Sequence, residues 1–275
     1  MNSVDTAPEV QEYRSGGVAL TGLRWWLTDV WLLAGRNIRR TVRMPDLIFT
    51  LTVMPLVFFV FFGYIIGGAM QVPGGNYIRY LYPGLMIGMI TYGALPAMVA
   101  GLGEDMRNGI MDRFRSLPMT RSSVLIGRAF SEGARHLVGV LVLIAVGLIA
   151  GYRFREFGLM VAGIALVLLY GFSLAWIASF VALTTRSVEA AQMIATVALA
   201  PLGFISSMYA PPETMPVWAR LIAQHNPITH VVDTVRAWFN GASAGSSAWL
   251  AFAWLIGITL VFGTLAVVRF QRATS

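Results

Sequence analysis

Six apolar stretches, each long enough to cross a lipid bilayer, constrain the fold of this chain more than any other feature. A helix needs about 20 apolar residues to cross about 30 Å of hydrocarbon. Stretches of this kind cover residues 47–68, 81–102, 130–151, 157–183, 190–208 and 248–268. Charged residues make up only 12% of the chain, against roughly 25% in soluble domains. The sequence therefore predicts an all-α polytopic membrane protein with six transmembrane helices.

The third stretch begins with three polar residues, Glu132, Arg135 and His136. A long cationic side chain near a helix end can extend to the headgroup layer, and residues three or four apart on a helix can pair. We therefore expect this end of the third helix at the membrane interface, with Glu132 in reach of both Arg135 and His136.

Arginine positions predict the orientation. An even number of spans places both termini on one side, and short loops rich in Arg or Lys stay in the cytoplasm. With the amino terminus inside, 15 of the 20 basic residues fall on the inner side and 5 on the outer side. All of them are arginine, which is typical of a GC-rich genome. We predict a multi-pass protein of a bacterial cell membrane with both termini cytoplasmic; Arg153 and Arg155, in a short outer turn, are a local exception.

The region before the first span has two parts. Residues 1–23 are polar and contain no apolar signal-peptide core, which predicts a disordered cytoplasmic tail. Residues 24–44 combine tryptophans with arginines, a composition typical of a helix lying in the headgroup layer. The same segment could simply be a basic flank that fixes orientation. Residues 24–275 are predicted to form one transmembrane domain.

A charged insert of residues 104–118 separates the second and third spans. On a helix, Met106, Ile110, Phe114 and Leu117 form one apolar stripe, with charged residues on the other faces and Pro118 as the stop. This pattern indicates a cytoplasmic helix that contacts a soluble partner from the membrane surface.

Two residue types are missing from the sequence, and both absences exclude chemistry. The chain has no cysteine, so it contains no disulfide and no thiolate site. It has no lysine, so it contains no phosphate-binding loop of the Gly-x-x-x-x-Gly-Lys-Ser/Thr type. ATP hydrolysis must therefore come from another chain. Nucleic-acid binding is not expected, because the arginines are spread among the loops instead of forming one basic face.

The segment between the fifth and sixth spans, residues 209–247, contains apolar periodicity. Prolines and Gly241 divide it into two short amphipathic helices, starting near Pro216 and Thr229 and ending at Pro227 and Gly241. Each is too short to cross, so we expect a re-entrant cap at the outer face. Pro83 and Pro96 in the second span predict kinks that line a cavity. Gly-x-x-x-Gly pairs predict close helix contacts, either in a dimer or within one bundle.

These residues resemble the type-2 ABC transporter permeases, and within them the daunorubicin-resistance permeases. The resemblance covers nearly the whole chain. It is strongest at a carboxyl-half signature and at the charged insert. The signature residues are Pro227, His230 and Arg236. The insert residues that match the family's ATPase-coupling segment are Glu104, Asp105, Met106, Arg107, Gly109, Ile110, Phe114, Leu117 and Pro118.

The resemblance implies a transport subunit and not an enzyme. Two such subunits, identical or homologous, would act with two separate ATPase subunits, and ATP and magnesium would bind to those partners and not to this chain. The cargo would be a hydrophobic or amphipathic drug, lipid or glycolipid. Large, soft side chains on the first, second, fourth and fifth spans are the predicted cargo contacts: Phe58, Phe59, Phe62, Met86, Met89, Tyr92, Trp176, Met193 and Phe204.

Two other functional classes were weighed. His225, His230 and Asp233 near the outer face could serve a membrane-embedded lipid-modifying enzyme as an acid/base or metal site. A channel would need more polar side chains inside its spans than this sequence offers. The exporter subunit remains the favoured hypothesis.

Overall fold

The computed structural model describes residues 53, 56–67, 72, 75–107, 121–185 and 187–273, and every regular element within them is helical. The predicted tail (1–23), the interfacial helix (24–44) and most of the coupling insert lie outside the described residues. The elements are α1 (Leu56–Ile65, with a π-helical turn over Phe61–Ile66), α2 (Tyr77–Arg107), α3 (Arg121–Ile149), α4 (Phe157–Thr184), α5 (Val188–Phe204), α6 (Val217–His225), α7 (Pro227–Phe239) and α8 (Ser246–Ala273).

Four helices in the described ranges are long and apolar enough to span a membrane: Tyr77–Gly101, Glu132–Ile149, Phe157–Thr184 and Ser246–Phe270. They correspond to the second, third, fourth and sixth predicted spans. The first predicted span is described only in part, as α1, and the fifth corresponds to the 17-residue α5. The chain is thus a multi-pass, helical membrane protein, and the six-span count stays a prediction.

The fifth predicted span, 190–208, ends too late. Helix α5 stops at Phe204, and the next residues leave the helix for a buried turn. The Ser206 hydroxyl donates to the Gly203 carbonyl at 2.6 Å, and the Met208 amide donates to the Ser206 oxygen at 3.2 Å. A serine that bonds the preceding backbone offers an alternative to the helical ladder. Hydropathy could not detect this stop, because the turn is as buried as the helix.

Helix α2 is longer than its predicted span of 81–102. It runs without interruption over 31 residues and contains both Pro83 and Pro96. At 1.5 Å per residue its length is about 46 Å. Its last turn, from Glu104 to Arg107, is the beginning of the predicted coupling insert, which is therefore continuous with a transmembrane helix at this end.

Helix α4 lies at the centre of the bundle. It packs against α2, α3, α5, α7 and α8, and its buried face includes Leu166, Val167, Tyr170 and Leu174. A helix that is apolar all round is typical of such a central position. The remaining helices surround it, and the core runs along α2 and α4.

One end of the bundle is closed by loops and short helices, and we call it the capped end: residues 150–156 and 205–245. Helix α7 is buried there, since Val231, Val235 and Phe239 are fully inaccessible. Gly241, with a φ of 72°, ends α7 in the left-handed conformation that favours glycine. Helix α6 instead exposes Trp218, beside other apolar side chains. The two short amphipathic helices predicted here are thus present, although α7 begins at Pro227 and not near Thr229.

The opposite end, which we call the open end, carries the carboxyl end of α2, the amino end of α3 and the α4–α5 turn. Ser187 caps α5 there by accepting a hydrogen bond from the Ala190 amide at 3.1 Å. The coupling insert begins at this end.

Candidate functional site

A cluster of hydrogen bonds around Arg236 holds the capped end together. The Arg236 guanidinium donates to the Asp233 carboxylate, to the Ser207 carbonyl at 2.6 Å and to the Tyr80 carbonyl at 3.0 Å. It also lies 3.7 Å from the centre of the Tyr80 ring, a cation–π contact. One arginine thereby joins α7, the turn after α5 and the amino end of α2. We call these contacts the Arg236 clamp.

The turn after α5 is fixed to both neighbouring elements. The Ser207 hydroxyl donates to Asp233 at 2.7 Å, and its amide donates to the Thr229 hydroxyl at 3.1 Å. From α2, the Tyr80 hydroxyl donates to the Ser207 carbonyl at 3.0 Å and the Tyr77 hydroxyl donates to the Tyr209 carbonyl at 2.9 Å. Buried polar groups that are satisfied in this way specify one arrangement of the chain.

Asn226 adds a second fixing point. It is the amino-terminal cap of α7, and its side-chain oxygen accepts a hydrogen bond from the Ile228 amide at 2.9 Å. Its amide nitrogen donates to the Leu202 and Ile205 carbonyls, both at 2.7 Å. Pro227 occupies the first helical position, where a missing N–H costs nothing. The Asn226-Pro227 pair therefore starts α7 and ties it to the end of α5.

A chain of aromatic rings leads from α1 to α2 and α5 beside the clamp. Phe62 stacks on Tyr209 with ring centres 4.8 Å apart, and Phe204 lies 5.8 Å from Tyr209 and 6.3 Å from Tyr92. Phe58 continues the chain through Phe62 at 6.0 Å. Burial raises the pKa of Tyr209, so this ring stays neutral at any physiological pH. The result is an apolar aromatic surface that is partly open to the outside of the bundle.

Helix α2 contacts α5 and the following turn along most of its length. Close contacts join Gly84 with Met208, Gly203 with Tyr92 and Gly103 with Val188, where even a methyl group on the glycine would overlap its neighbour. The Gln192 amide adds a hydrogen bond to the Pro96 carbonyl at 3.1 Å. We call these contacts between α2, α5 and the following turn the glycine seam. Its glycines serve close packing within one bundle.

Comparison with known proteins agrees with this architecture. A family model described as ABC-2 type transporter matches residues 28–240, well over half of the chain. The chain belongs to the ABC-2 type transporter family. It is 28% identical over 242 residues to the daunorubicin resistance ABC transporter permease protein DrrB1 of Streptomyces coeruleorubidus, which covers 88% of this chain and 84% of that protein.

Two further ABC-2 relatives extend the comparison. A probable doxorubicin resistance ABC transporter permease protein, DrrC, of Mycobacterium tuberculosis is 24% identical over 92% of this chain and 91% of its own length. The probable multidrug ABC transporter permease YbhR of Escherichia coli is 22% identical over 73% of this chain and 54% of its own length. The resemblance inferred from the sequence is thus confirmed: the chain is an ABC-2 permease.

The predicted signature residues of this ABC-2 permease lie together in α7. Pro227 starts the helix and Arg236 forms the clamp. His230 is partly buried one turn before the clamp; burial lowers its pKa, with Asp233 opposing and His225 reinforcing the shift. The predicted coupling residues are described only in part, because Glu104, Asp105, Met106 and Arg107 form the last turn of α2 while Gly109, Ile110, Phe114, Leu117 and Pro118 lie outside the described residues.

The predicted cargo contacts are divided among several surfaces. Phe58, Phe62, Tyr92 and Phe204 share the aromatic surface. Met193, 69% exposed, points away from the bundle on α5. The others are Phe59 and Met86, which are buried in the main core, Met89, which packs partly buried against it, and Trp176, which packs with Ala266 and Phe270 between α4 and α8.

The three residues of the enzyme alternative do not converge on an open site. Asp233 is engaged by Arg236 and Ser207, and His225 is exposed with its Nδ1 2.9 Å from the Leu221 carbonyl oxygen. Within the described ranges, no three histidine or acidic side chains group as metal ligands would. Asp233 therefore has a structural partner that accounts for its position.

Sequence reasoning did not identify Tyr80, Ser207, Thr229 and Asn226 as partners of the signature arginine. Asn before Pro at a helix start is a recognisable cap signal, and the pair Ser206-Ser207 in an apolar stretch could have marked the end of α5. Tyr80 carries no such signal, because it lies 156 residues before Arg236.

Proposed function

We propose that this ABC-2 permease is the membrane-spanning subunit of an ATP-driven exporter that moves a hydrophobic or amphipathic compound out of a bacterial cell. ATP and magnesium bind to separate ATPase subunits, and a second copy of the chain or a homologous permease completes the membrane unit. The names of the relatives, which are drug-resistance and multidrug permeases, support this proposal.

One structural observation carries the proposal. A single continuous helix, α2, joins the beginning of the predicted coupling insert to the Arg236 clamp. The helix is continuous through both of its prolines, and its amino end is hydrogen-bonded to the turn after α5, so a displacement applied at Arg107 is carried along it to Tyr80 and Ser207. An exporter needs such a connection, because the energy source and the outward exit lie on opposite sides of the membrane.

The motion follows from this connection. ATP closes the ATPase dimer and moves the two coupling segments toward each other, with Ile110 and Phe114 as the apolar contacts. Helix α2 carries the displacement, and α5 follows through the glycine seam. The clamp then shifts relative to α4, and the bundle opens to the outside. Alternating access of this kind requires two packed arrangements of the same helices.

The cargo meets the aromatic surface of Phe58, Phe62, Tyr92 and Phe204. Flat, partly exposed rings bind large apolar bodies through stacking and dispersion without demanding one shape. The other predicted contacts, Phe59, Met86, Met89, Trp176 and Met193, would act only if the helices separate during transport. Daunorubicin, which appears in the name of one relative, is the first compound to test.

In the orientation predicted from the arginine positions, the open end and both termini lie in the cytoplasm. Since the chain has no cysteine, single substitutions report accessibility without background labelling. Asn108→Cys at the coupling insert should react with an impermeant maleimide only in inverted vesicles, and Ser243→Cys at the capped end only in intact cells. The reverse pattern would overturn the orientation.

The functional test uses the permease purified together with its ATPase subunit. Phe114→Asp places a charge in the apolar stripe and should abolish both co-purification and daunorubicin-stimulated ATP hydrolysis. Met111→Asp makes the same change one helical position outside the stripe and should retain at least about half of both signals. Equal loss in the two variants, or no loss in either, would contradict coupling through this stripe.

A further inference from the structure

A buried histidine without a partner lies in the middle of the bundle. His136 on α3 is 8% exposed, and neither of its ring nitrogens has a hydrogen-bond partner among the described residues. A buried polar group without a partner costs free energy, so its retention calls for an explanation. This is a different location from the aromatic surface and from the clamp.

His136 contacts the middle of two other helices. A Cβ at Gly171 would lie 2.8 Å from the His136 Nδ1 and 3.3 Å from the Ile90 Cγ2, so these three residues meet at one point. Ile90 is next to the central residue of the span Tyr77–Gly101, and Gly171 is at the centre of the span Phe157–Thr184. The apolar span on α3, Glu132–Ile149, begins four residues before His136, and α3 itself extends three turns before Glu132. The interfacial position of Glu132 and Arg135 stays a prediction.

A cavity of about 50 Å³ adjoins the imidazole. It is lined by Met89, Ile90, Gly93, Ala94, Arg135, His136, Gly139, Val140 and Leu143. A water molecule needs about 10–15 Å³ of such space, so the cavity accepts a group of a few heavy atoms. Gly93 leaves room at its wall, because a methyl group there would meet no atom within 4 Å.

The polar groups near the cavity are already paired, with the exception of His136. The Arg135 Nε donates a hydrogen bond of 2.8 Å to the Glu132 Oε2, and the Arg135 Nη2 lies 2.8 Å from the same oxygen, which makes a neutral ion pair. The Thr91 and Tyr170 hydroxyls bond each other at 2.7 Å. The unpaired imidazole offers one donor and one acceptor when neutral. Such a site suits a neutral group that both donates and accepts, and it does not suit an anion or a cation.

We propose that the cavity beside His136 is a binding site for a hydroxyl group carried by an apolar compound, with the imidazole as its hydrogen-bond partner and Met89, Ile90 and Val140 around the adjoining carbon. The proposal depends on the proposed export function in one respect: it identifies the bound compound as cargo. Polar side chains at the depth of the hydrocarbon are costly and commonly mark a substrate pathway. The permease would thus select cargo in two ways: the aromatic surface binds large apolar bodies, and the cavity beside His136 binds a hydroxyl group.

The binding test needs neither ATP nor a partner. The chain contains only three histidines, so isotope labelling of histidine in the full-length permease in lipid nanodiscs gives three assignable imidazole signals. Titration with 1-octanol should shift the His136 signal saturably and leave the exposed His225 signal unchanged. Octane, which has the same apolar tail without the hydroxyl, should cause no shift. If octanol causes no saturable shift, the proposal is overturned, and this includes the case in which tightly held water already occupies the cavity. Equal shifts with octanol and octane would also overturn it.

Two variants separate binding from folding. Gly93→Val adds a branched side chain at the wall of the cavity and keeps the imidazole, so octanol should bind at least about five-fold more weakly. Gly257→Val on α8 is the matched control, since its added side chain likewise meets no atom within 4 Å and lies outside the cavity. Unchanged octanol affinity in Gly93→Val would contradict the site. A normal octanol titration in a permease that shows no ATP-dependent export would leave this site in place and overturn the proposed function instead.

Discussion

The two ends of α2 are held in different ways. At the capped end, Tyr77 and Tyr80 donate hydrogen bonds to the turn after α5, and Arg236 donates to the Tyr80 carbonyl. At the open end, Gly103 meets the Val188 side chain in an apolar contact, and the one hydrogen bond described between α2 and α5, from the Gln192 amide to the Pro96 carbonyl, lies two turns before Gly103. The same helix is therefore fixed by directional bonds at one end and by side-chain packing at the other.

This difference has a mechanical consequence. Hydrogen bonds with buried partners resist relative movement, because every shift leaves polar atoms unsatisfied. Apolar contacts of a small residue with a side chain allow sliding by small steps, as in the shear motions of packed helices. We therefore expect the capped end to move as one unit with α7 and the open end to rearrange when the ATPase subunits close.

Removing the clamp arginine should destabilise the protein most. Arg236→Met keeps a similar volume and removes one hydrogen-bond donor each from the Asp233 carboxylate and from the Ser207 and Tyr80 carbonyls. Asp233 then keeps only the Ser207 hydroxyl as a donor and loses its cationic partner. Breaking one partner of a buried ion pair costs about 3–5 kcal/mol, and the partial exposure of Asp233 favours the lower value, about 3 kcal/mol. Thermal unfolding in detergent measures the effect. Arg153→Met is the control, because that exposed guanidinium bonds only nearby carbonyls, and it should cost less than about 0.5 kcal/mol. Equal losses would show that the clamp has no special role.

The buried cap Asn226 should come next. Asn226→Ala removes an amino-terminal cap and two further hydrogen bonds to the end of α5, for an expected cost of about 2–3 kcal/mol. Asn76 is the matched asparagine near the start of α2, where it accepts one exposed hydrogen bond from the Arg79 amide. Asn76→Ala should cost only about 0.5–1 kcal/mol. If Asn76→Ala lowers the free energy of unfolding more than Asn226→Ala does, the inference that the capped end is held by the stronger hydrogen bonds is contradicted.

The same substitution at the two ends of α2 compares them directly. In Gly84→Ala the new methyl group meets the Met208 backbone, which the clamp holds in place, whereas in Gly103→Ala it meets a valine side chain. Both changes gain the same helix propensity, so the difference reports packing alone. We expect Gly84→Ala to cost about 1–2 kcal/mol and Gly103→Ala less than about 1 kcal/mol. Chemical denaturation of the two variants measures both losses in the free energy of unfolding. A greater loss for Gly103→Ala would contradict the inference that the open end can rearrange.

The smallest effect concerns pH. Burial holds the pKa of His230 below its ordinary value, so the folded state binds a proton less readily than the unfolded state. The unfolded state then carries more bound protons in this range, and stability must fall as pH decreases below about 6.5. His230→Gln should reduce the slope of stability against pH, which is measured from the unfolding midpoints between pH 7.5 and 5.0. His225→Gln removes only a charge that reinforces the lowered pKa of His230, so it should reduce the slope less than His230→Gln does.

How far the sequence predicts this structure depends on the kind of signal. Hydropathy located the second, third, fourth and sixth spans, and the prolines and Gly241 located α6 and α7, because these signals are local. Hydropathy did not predict that α2 continues to Arg107 or that α3 begins at Arg121, since a helix ends where its backbone bonds end and not where polarity begins.

The clamp shows the other limit of sequence reasoning. Arg236 was identified through the family resemblance, but its partners Tyr80 and Ser207 come from distant parts of the chain. No local pattern encodes that pairing, which arises only when α2, the turn after α5 and α7 pack together. The coupling stripe of Ile110 and Phe114 stays a prediction, since it lies outside the described residues.

Transport in reconstituted vesicles tests the central claim most directly. Permease of the predicted orientation is incorporated with or without its ATPase subunit, and uptake of fluorescent daunorubicin into inverted vesicles is followed after addition of ATP and magnesium. The account predicts uptake only when the ATPase subunit is present, and its loss in Phe114→Asp but not in Met111→Asp. Uptake by the permease alone, or uptake unaffected by Phe114→Asp, would contradict the claim that this chain takes its energy from a separate subunit through the coupling insert.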